Sequence, residues 1–167
     1  MIFFLALLLT AAVGCGSSDD HSSPPPSEQG SATTSYGTLA EVSEYLQAVN
    51  PYIHLVGELQ MEVDTVVGTS GRATGQNLAA AMAGVQPRLK EMIERFEQIA
   101  PPPLLAPLHR DIKKLMLVRL EAYETTIEGW KREQESQDLG LYKEAEAQLV
   151  EANQMIQELN DDLKAIN

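Results

Sequence analysis

The residues of this chain with chemistry to offer are three histidines, one cysteine and a surplus of carboxylates, and their spacing narrows what they can do. His54 and Glu58 stand four apart, which places both on one face of a helix and makes them weak candidates for holding a metal ion. The plainer reading is a surface imidazole beside an acid. A di-iron bundle needs inward glutamates and Glu-x-x-His on two helices. Pro51 and Ala106 occupy the positions three before His54 and His109, so that pattern is missing. Asp19, Asp20 and His21 offer cation ligands but read as a solvated acidic leash. The run Pro101-Pro-Pro-Leu-Leu-Ala-Pro-Leu-His109-Arg110 sets His and Arg at a helix start, where free amides can meet an anion. It reads more simply as a turn that fixes the angle between two helices, with His109 half-buried beside it.

Nucleophilic and phosphate chemistry find less support. No serine lies in a Gly-x-Ser-x-Gly elbow after a strand, and no Gly-Lys-Ser/Thr follows the glycines of residues 68–75. Glu91/Glu94 and Glu144/Glu146 read as solvated helix faces. Cys15 stands alone, so neither a Cys-x-x-Cys-His haem site nor a disulfide framework can form. We therefore assign no catalytic residues, no cofactor and no metal, and expect a protein that is not an enzyme. Gln60 is the one polar residue inside an apolar stripe; it can bond across a bundle and set register. With Tyr123 and Trp130 it is also the candidate lining of a small ligand pocket between helices.

The elements that must position these groups follow from periodicity. Thr38-Leu-Ala-Glu41 fits a capping box. Leu39, Val42, Leu46, Val49, Ile53, Val56, Val63 and Val67 then recur in steps of three and four, interrupted by Gln60, the spacing of an amphipathic helix. The stripe keeps its phase across Pro51 and predicts one kinked helix over 39–67. A second helix, over 76–99, carries Leu78, Met82, Val85, Leu89, Met92, Phe96 and Ile99, with Ala79, Ala80, Ala83 and Gly84 keeping its first half thin and Pro87 kinking it. Leu108, Ile112, Met116, Leu120, Tyr123, Ile127 and Trp130, widened by Leu115 and Val118, define a third over 104–135. Leu141, Ala145, Leu149, Ala152, Ile156, Leu159, Leu163 and Ile166 define a fourth over 140–166. Four long helices with short joins predict an all-α, up-down-up-down bundle over 38–167, kinked at its prolines. Residues 15–37 are rich in Ser, Pro and Gly, have few apolar side chains and read as a disordered tether.

The net charge is −12, from 24 Asp and Glu against 12 Lys and Arg. That balance argues against nucleic acid, whose affinity comes from neutralising phosphates with cations.

The apolar run before the cysteine ends in Ala12-Val13-Gly14-Cys15, which resembles the lipobox of bacterial lipoproteins, although Ala12 takes a position where that family favours leucine. About fourteen apolar residues are too few to cross a hydrocarbon core of about 30 Å, but they suit the apolar stretch of a secretory signal. The resemblance implies cleavage between Gly14 and Cys15, removal of residues 1–14, and a lipid such as palmitate on Cys15. Signal peptides begin with positive charge and none precedes this run, so we expect the true start upstream of Met1. It also implies a place in the cell envelope, held to a membrane through the N-terminus. Gly16 follows the cysteine; in enterobacterial lipoproteins a residue other than aspartate there implies the outer membrane, on its periplasmic face or the surface. In a cell without one, the outer face of the plasma membrane is implied. The function expected is a lipid-anchored module that holds an envelope protein partner or serves a structural role. The alternative is a bundle that senses or binds a small molecule or ion between its helices.

Overall fold

The structure, a computed structural model, describes residues 33–69 and 74–166. The leader, the cleavage position Gly14, Cys15 and the tether up to residue 32 lie outside the described residues, as do Asp19, Asp20 and His21. Four helices carry the chain: α1 (Leu39–Thr69), α2 (Gly75–Phe96), α3 (Ala106–Ser136) and α4 (Gly140–Ile166). They form an up-down-up-down bundle in which each helix packs on its neighbour in sequence. Along the side where α1 and α4 close the bundle, their backbones approach each other much less closely.

The last residues assigned to the tether are ordered. Thr33–Thr34 (β1) and Gly37–Thr38 (β2) pair antiparallel around a turn at Ser35 and Tyr36. The Thr34 hydroxyl donates to the Gly37 carbonyl at 3.0 Å and accepts from the Tyr36 amide at 3.1 Å. Gly37 takes a φ of +127°, open to glycine because it has no Cβ. Tyr36 packs against the core, and that burial fixes a segment whose composition looked featureless. The capping box follows at once: Thr38 Oγ1 donates to Glu41 Oε2 at 2.7 Å and accepts from the Glu41 amide at 3.3 Å. Glu41 Oε2 also accepts the Thr38 amide at 3.1 Å.

Both internal prolines sit within continuous helices, Pro51 in α1 and Pro87 in α2. The second helix ends at Phe96, three residues before the expected Ile99, and the third begins at Ala106 after a 3₁₀ turn over Pro103–Leu105. Pro101 to Pro103 have no amide hydrogen to extend a helix, which accounts for the early stop. The α3–α4 join is short because Gln137 adopts a left-handed φ of 58° and its amide closes onto the Glu133 carbonyl at 3.1 Å.

The core follows the apolar stripes with three corrections. On α1 the buried face is Val42, Tyr45, Val49, Val56, Leu59 and Val63, while Leu39 is 56% exposed and Leu46, Ile53, Gln60 and Val67 flank it. On α2 the buried residues run from Ala79, Ala81 and Met82 to Phe96, but Ala80, Ala83 and Gly84 face solvent. On α3 the buried face turns after Met116 to Arg119, Ala122, Tyr123, Thr126 and Gly129, leaving Leu120, Ile127 and Trp130 half-buried.

The small residues on that face explain the last shift. Ala122 and Ala152 are both fully buried, and Ala145 lies on the same side of α4 as Ala152. A Cβ added to Gly129 would stand 3.3 Å from the Leu141 Cβ, so α3 and α4 approach too closely there for larger side chains. Fully burying large aliphatic and aromatic side chains such as Val49, Leu89, Met116 and Phe96 stabilises the bundle by about 1.5–3 kcal/mol each.

Candidate functional site

Two polar clusters interrupt the apolar core. The first lies at the proline end, where α1, α2 and α3 meet. His109, in the first turns of α3, is buried rather than half-buried, and its ring stacks on Phe96 with centroids 4.3 Å apart and planes 12° apart. Tyr52 meets the same Phe96 edge-on at 5.4 Å. Tyr45 Oη lies 3.3 Å from His109 Nδ1. With Nδ1 unprotonated, the hydroxyl donates and the imidazole is neutral. Burial, with the Lys113 charge adding to it, holds the His109 pKa below the ordinary imidazole value. Burial also raises the Tyr45 phenol well above its usual range. Both groups are thereby held neutral. Arg110, next in sequence, is exposed, while His109 is buried.

The second cluster sits in the middle of the bundle and centres on Arg119, which is 1% exposed. Its Nη1 donates to Gln60 Oε1 on α1, and its Nη2 reaches Asn153 Oδ1 on α4 at 3.4 Å. Gln60 Nε2 in turn donates to Asp64 Oδ1 at 2.8 Å. The guanidinium therefore touches two neutral amides, and its countercharge is relayed through one of them. Tyr123, one helical turn beyond Arg119, is fully buried. Burial raises its pKa, and the Asp64 charge pushes the same way, against the Arg119 cation and its donors. Three buried polar side-chain atoms among the described residues make no well-formed hydrogen bond: Arg119 Nε, Tyr123 Oη and Gln148 Oε1, although the Tyr123 hydroxyl lies near enough to the Arg119 donors for them to act on its pKa.

These three atoms fall in one region. Arg119 bonds to Asn153, and Gly129 packs on Leu141 and Tyr142, so the antiparallel register of α3 and α4 sets Tyr123 opposite about residue 148. The sequence candidates Gln60 and Tyr123 are thus brought to the same guanidinium. Trp130 is not; it lies two turns past Tyr123, about 10 Å along the helix, and is half-buried. Arg119 was missed because Leu120, its neighbour, also continues the apolar spacing. The signal was available: Ile112, Met116, Arg119 and Tyr123 follow each other at four, three and four residues, which places an arginine on a buried seam.

His54 and Glu58 are both exposed. No group of three or more His, Cys, Asp or Glu side chains suited to a metal ion occurs among the described residues. Two solvent-open depressions lie along α3 and α4. One, of about 270 Å³, is lined by Glu121, Glu124, Glu128 and Glu144 with Arg132 and Leu141; the other, of about 110 Å³, lies near Asp111, Lys114 and Met155. Neither is lined by Gln60, Tyr123 or Trp130. Among the described residues no helix is long and apolar enough to cross a membrane. No protein-family model matches the chain, and no curated protein or solved structure matches it either.

Proposed function

We propose that this protein is a non-enzymatic interaction module of the cell envelope, anchored by a lipid on Cys15 and presenting its helical bundle to a protein partner. The observation that supports this most is on α1. Met61 and Val66 are 48% and 43% exposed, and Glu58 and Glu62 lie between them on the outward arc of the helix. Partly exposed apolar side chains interleaved with acids suit recognition of a partner that carries apolar contacts and basic charge. The α1 segment has no Lys or Arg, so its outward charge is of one sign. Among the described residues its partners for cations lie on neighbouring helices, as where Arg88 of α2 bridges to Glu62.

The anchor rests on Ala12-Val13-Gly14-Cys15 and on the polar stretch that separates it from the capping box at Thr38. Expression of the full chain in a bacterial host, with a short basic leader placed before Met1 so that export does not limit the outcome, tests the reading. The wild type should fractionate with membranes, and intact mass should show loss of residues 1–14 and addition of acyl chains. Cys15→Ala should be released. A wild-type chain with a bare thiol at residue 15 and its leader attached would refute the anchor. Site-specific crosslinking from α1, with and without Met61→Glu and Val66→Glu, tests the partner face; crosslinks indifferent to both changes would refute it.

A further inference from the structure

The Arg119 cluster carries an inference that goes beyond the envelope reading and stands apart from it. A guanidinium presents donors in a planar fork, and a side-on carboxylate takes one bond from Nε and one from Nη2. In this protein those are the two underused positions: Nε has no partner, and Nη2 holds a single long bond of 3.4 Å to Asn153. The opposite nitrogen, Nη1, is engaged by Gln60, which keeps the plane of the group fixed. The Tyr123 hydroxyl, one turn along α3, faces the Arg119 donors and has no acceptor for its own hydrogen. Buried donors left unmatched are costly, and a guanidinium that touches only amides lacks a direct countercharge.

Access and room come from Asn153. It is exposed, it sits on α4 beside the side of the bundle where α1 and α4 approach least, and its amide matches a carboxylate in size and planarity. Rotated into solvent, it leaves a space of its own dimensions against the guanidinium edge. We propose that the Nε/Nη2 edge of Arg119, together with the Tyr123 hydroxyl, is a binding site for a small monocarboxylate that enters between α1 and α4 and displaces the Asn153 amide. The acid accepts from Nε–H and Nη2–H and takes a third bond from Tyr123, while its alkyl end points back along the entry path.

Acetate is the probe. Carbon-13 NMR titration of [1-¹³C]acetate into the full chain, at pH 7.5 and constant ionic strength, should show saturable binding with a Kd on the order of 1 mM, as for a ligand of so few atoms. Asn153→Ala removes the competing amide from an exposed position and should tighten binding several-fold, a result that a purely structural role for the cluster would not give. Tyr123→Phe should weaken it about fivefold and Arg119→Lys at least tenfold. Absence of saturable binding in the wild type and in Asn153→Ala would overturn the proposal, and so would a high-resolution structure in acetate showing only water at the Arg119 edge. Should Arg119→Lys or Tyr123→Phe fail to fold by circular dichroism, the wild type and Asn153→Ala decide alone: binding that Asn153→Ala does not tighten overturns it.

Discussion

Three helical glycines give one substitution opposite signs. Gly57 in α1 and Gly84 in α2 are exposed helix-interior positions, and a Cβ built on either meets nothing within 4 Å. Alanine there removes backbone freedom from the unfolded chain and disturbs no contact, so each change should stabilise by about 0.5–1 kcal/mol. The two sites share no neighbour and should add to about 1–2 kcal/mol. Gly75, the first residue of α2, is different: a Cβ there would lie 2.1 Å from Tyr142 Oη and 2.6 Å from Glu133 Oε2. Those two atoms are bonded to each other at 2.7 Å, and burial together with Glu133 pushes the Tyr142 phenol up to about 12. Alanine must break that charge-assisted bond, so Gly75→Ala should destabilise by about 1–2 kcal/mol after the propensity gain is counted. With an unfolding entropy of about 2.1 cal/mol/K per residue over roughly 130 ordered residues, 1–2 kcal/mol corresponds to a Tm change of about 4–7 °C. Thermal melts followed at 222 nm should therefore rise for Gly57→Ala/Gly84→Ala and fall for Gly75→Ala. In a Tyr142→Ala background, where the end of the Glu133 side chain is released to swing aside, the Gly75→Ala penalty should largely vanish. A Gly75→Ala protein as stable as wild type, or a penalty that persists without Tyr142, would refute this reasoning.

Other outcomes follow from the same packing. His109 is held neutral below its ordinary pKa of 6.5, so the unfolded chain takes up a proton before the folded one does. Stability carried by this group is complete above that value and falls as pH drops below it; urea melts at pH 7.5 and 5.5 should show the loss, and His109→Gln should reduce it. Arg119→Ala opens a cavity and strands Gln60, and should cost about 3–5 kcal/mol in urea melts, whereas Arg119→Met fills the volume and should cost much less. Ala152→Leu overpacks a fully buried position on α4 and should cost about 1–3 kcal/mol by the same measurement.

What could be read from the residues was the architecture, and what could not was rotation about each helix axis. Thr38 and Glu41 announced the start of α1 because their bonds are local and need no tertiary context. The Pro101 to Pro103 stop was equally local. The face of α3 was harder, since Leu120, Ile127 and Trp130 form a stripe about 100° round the helix from Arg119, Thr126 and Gly129, and either stripe keeps helical spacing. Hydrophobicity favours the first set. Close approach of α4 through Ala145 and Ala152 selects the second, and that is a property of two helices together. The Arg119 cluster was half visible for this reason: Gln60 and Tyr123 stood out by type and position, while their shared partner looked like a surface cation. Residues 33–37 were misjudged on composition, which does not reveal that one tyrosine finds the core.

The tight α3–α4 pairing bears on how the chain reaches this shape. Contacts between consecutive helices close short loops, and the join at Gln137 is already bent into the geometry the hairpin needs. That hairpin should form early and act as a nucleus, with α2 adding next and α1 docking late across its wider gap to α4. Refolding after denaturant dilution should then be slowed most by changes at Ala122, Gly129 or Ala152, whereas truncations at Val49 or Val63 should chiefly hasten unfolding.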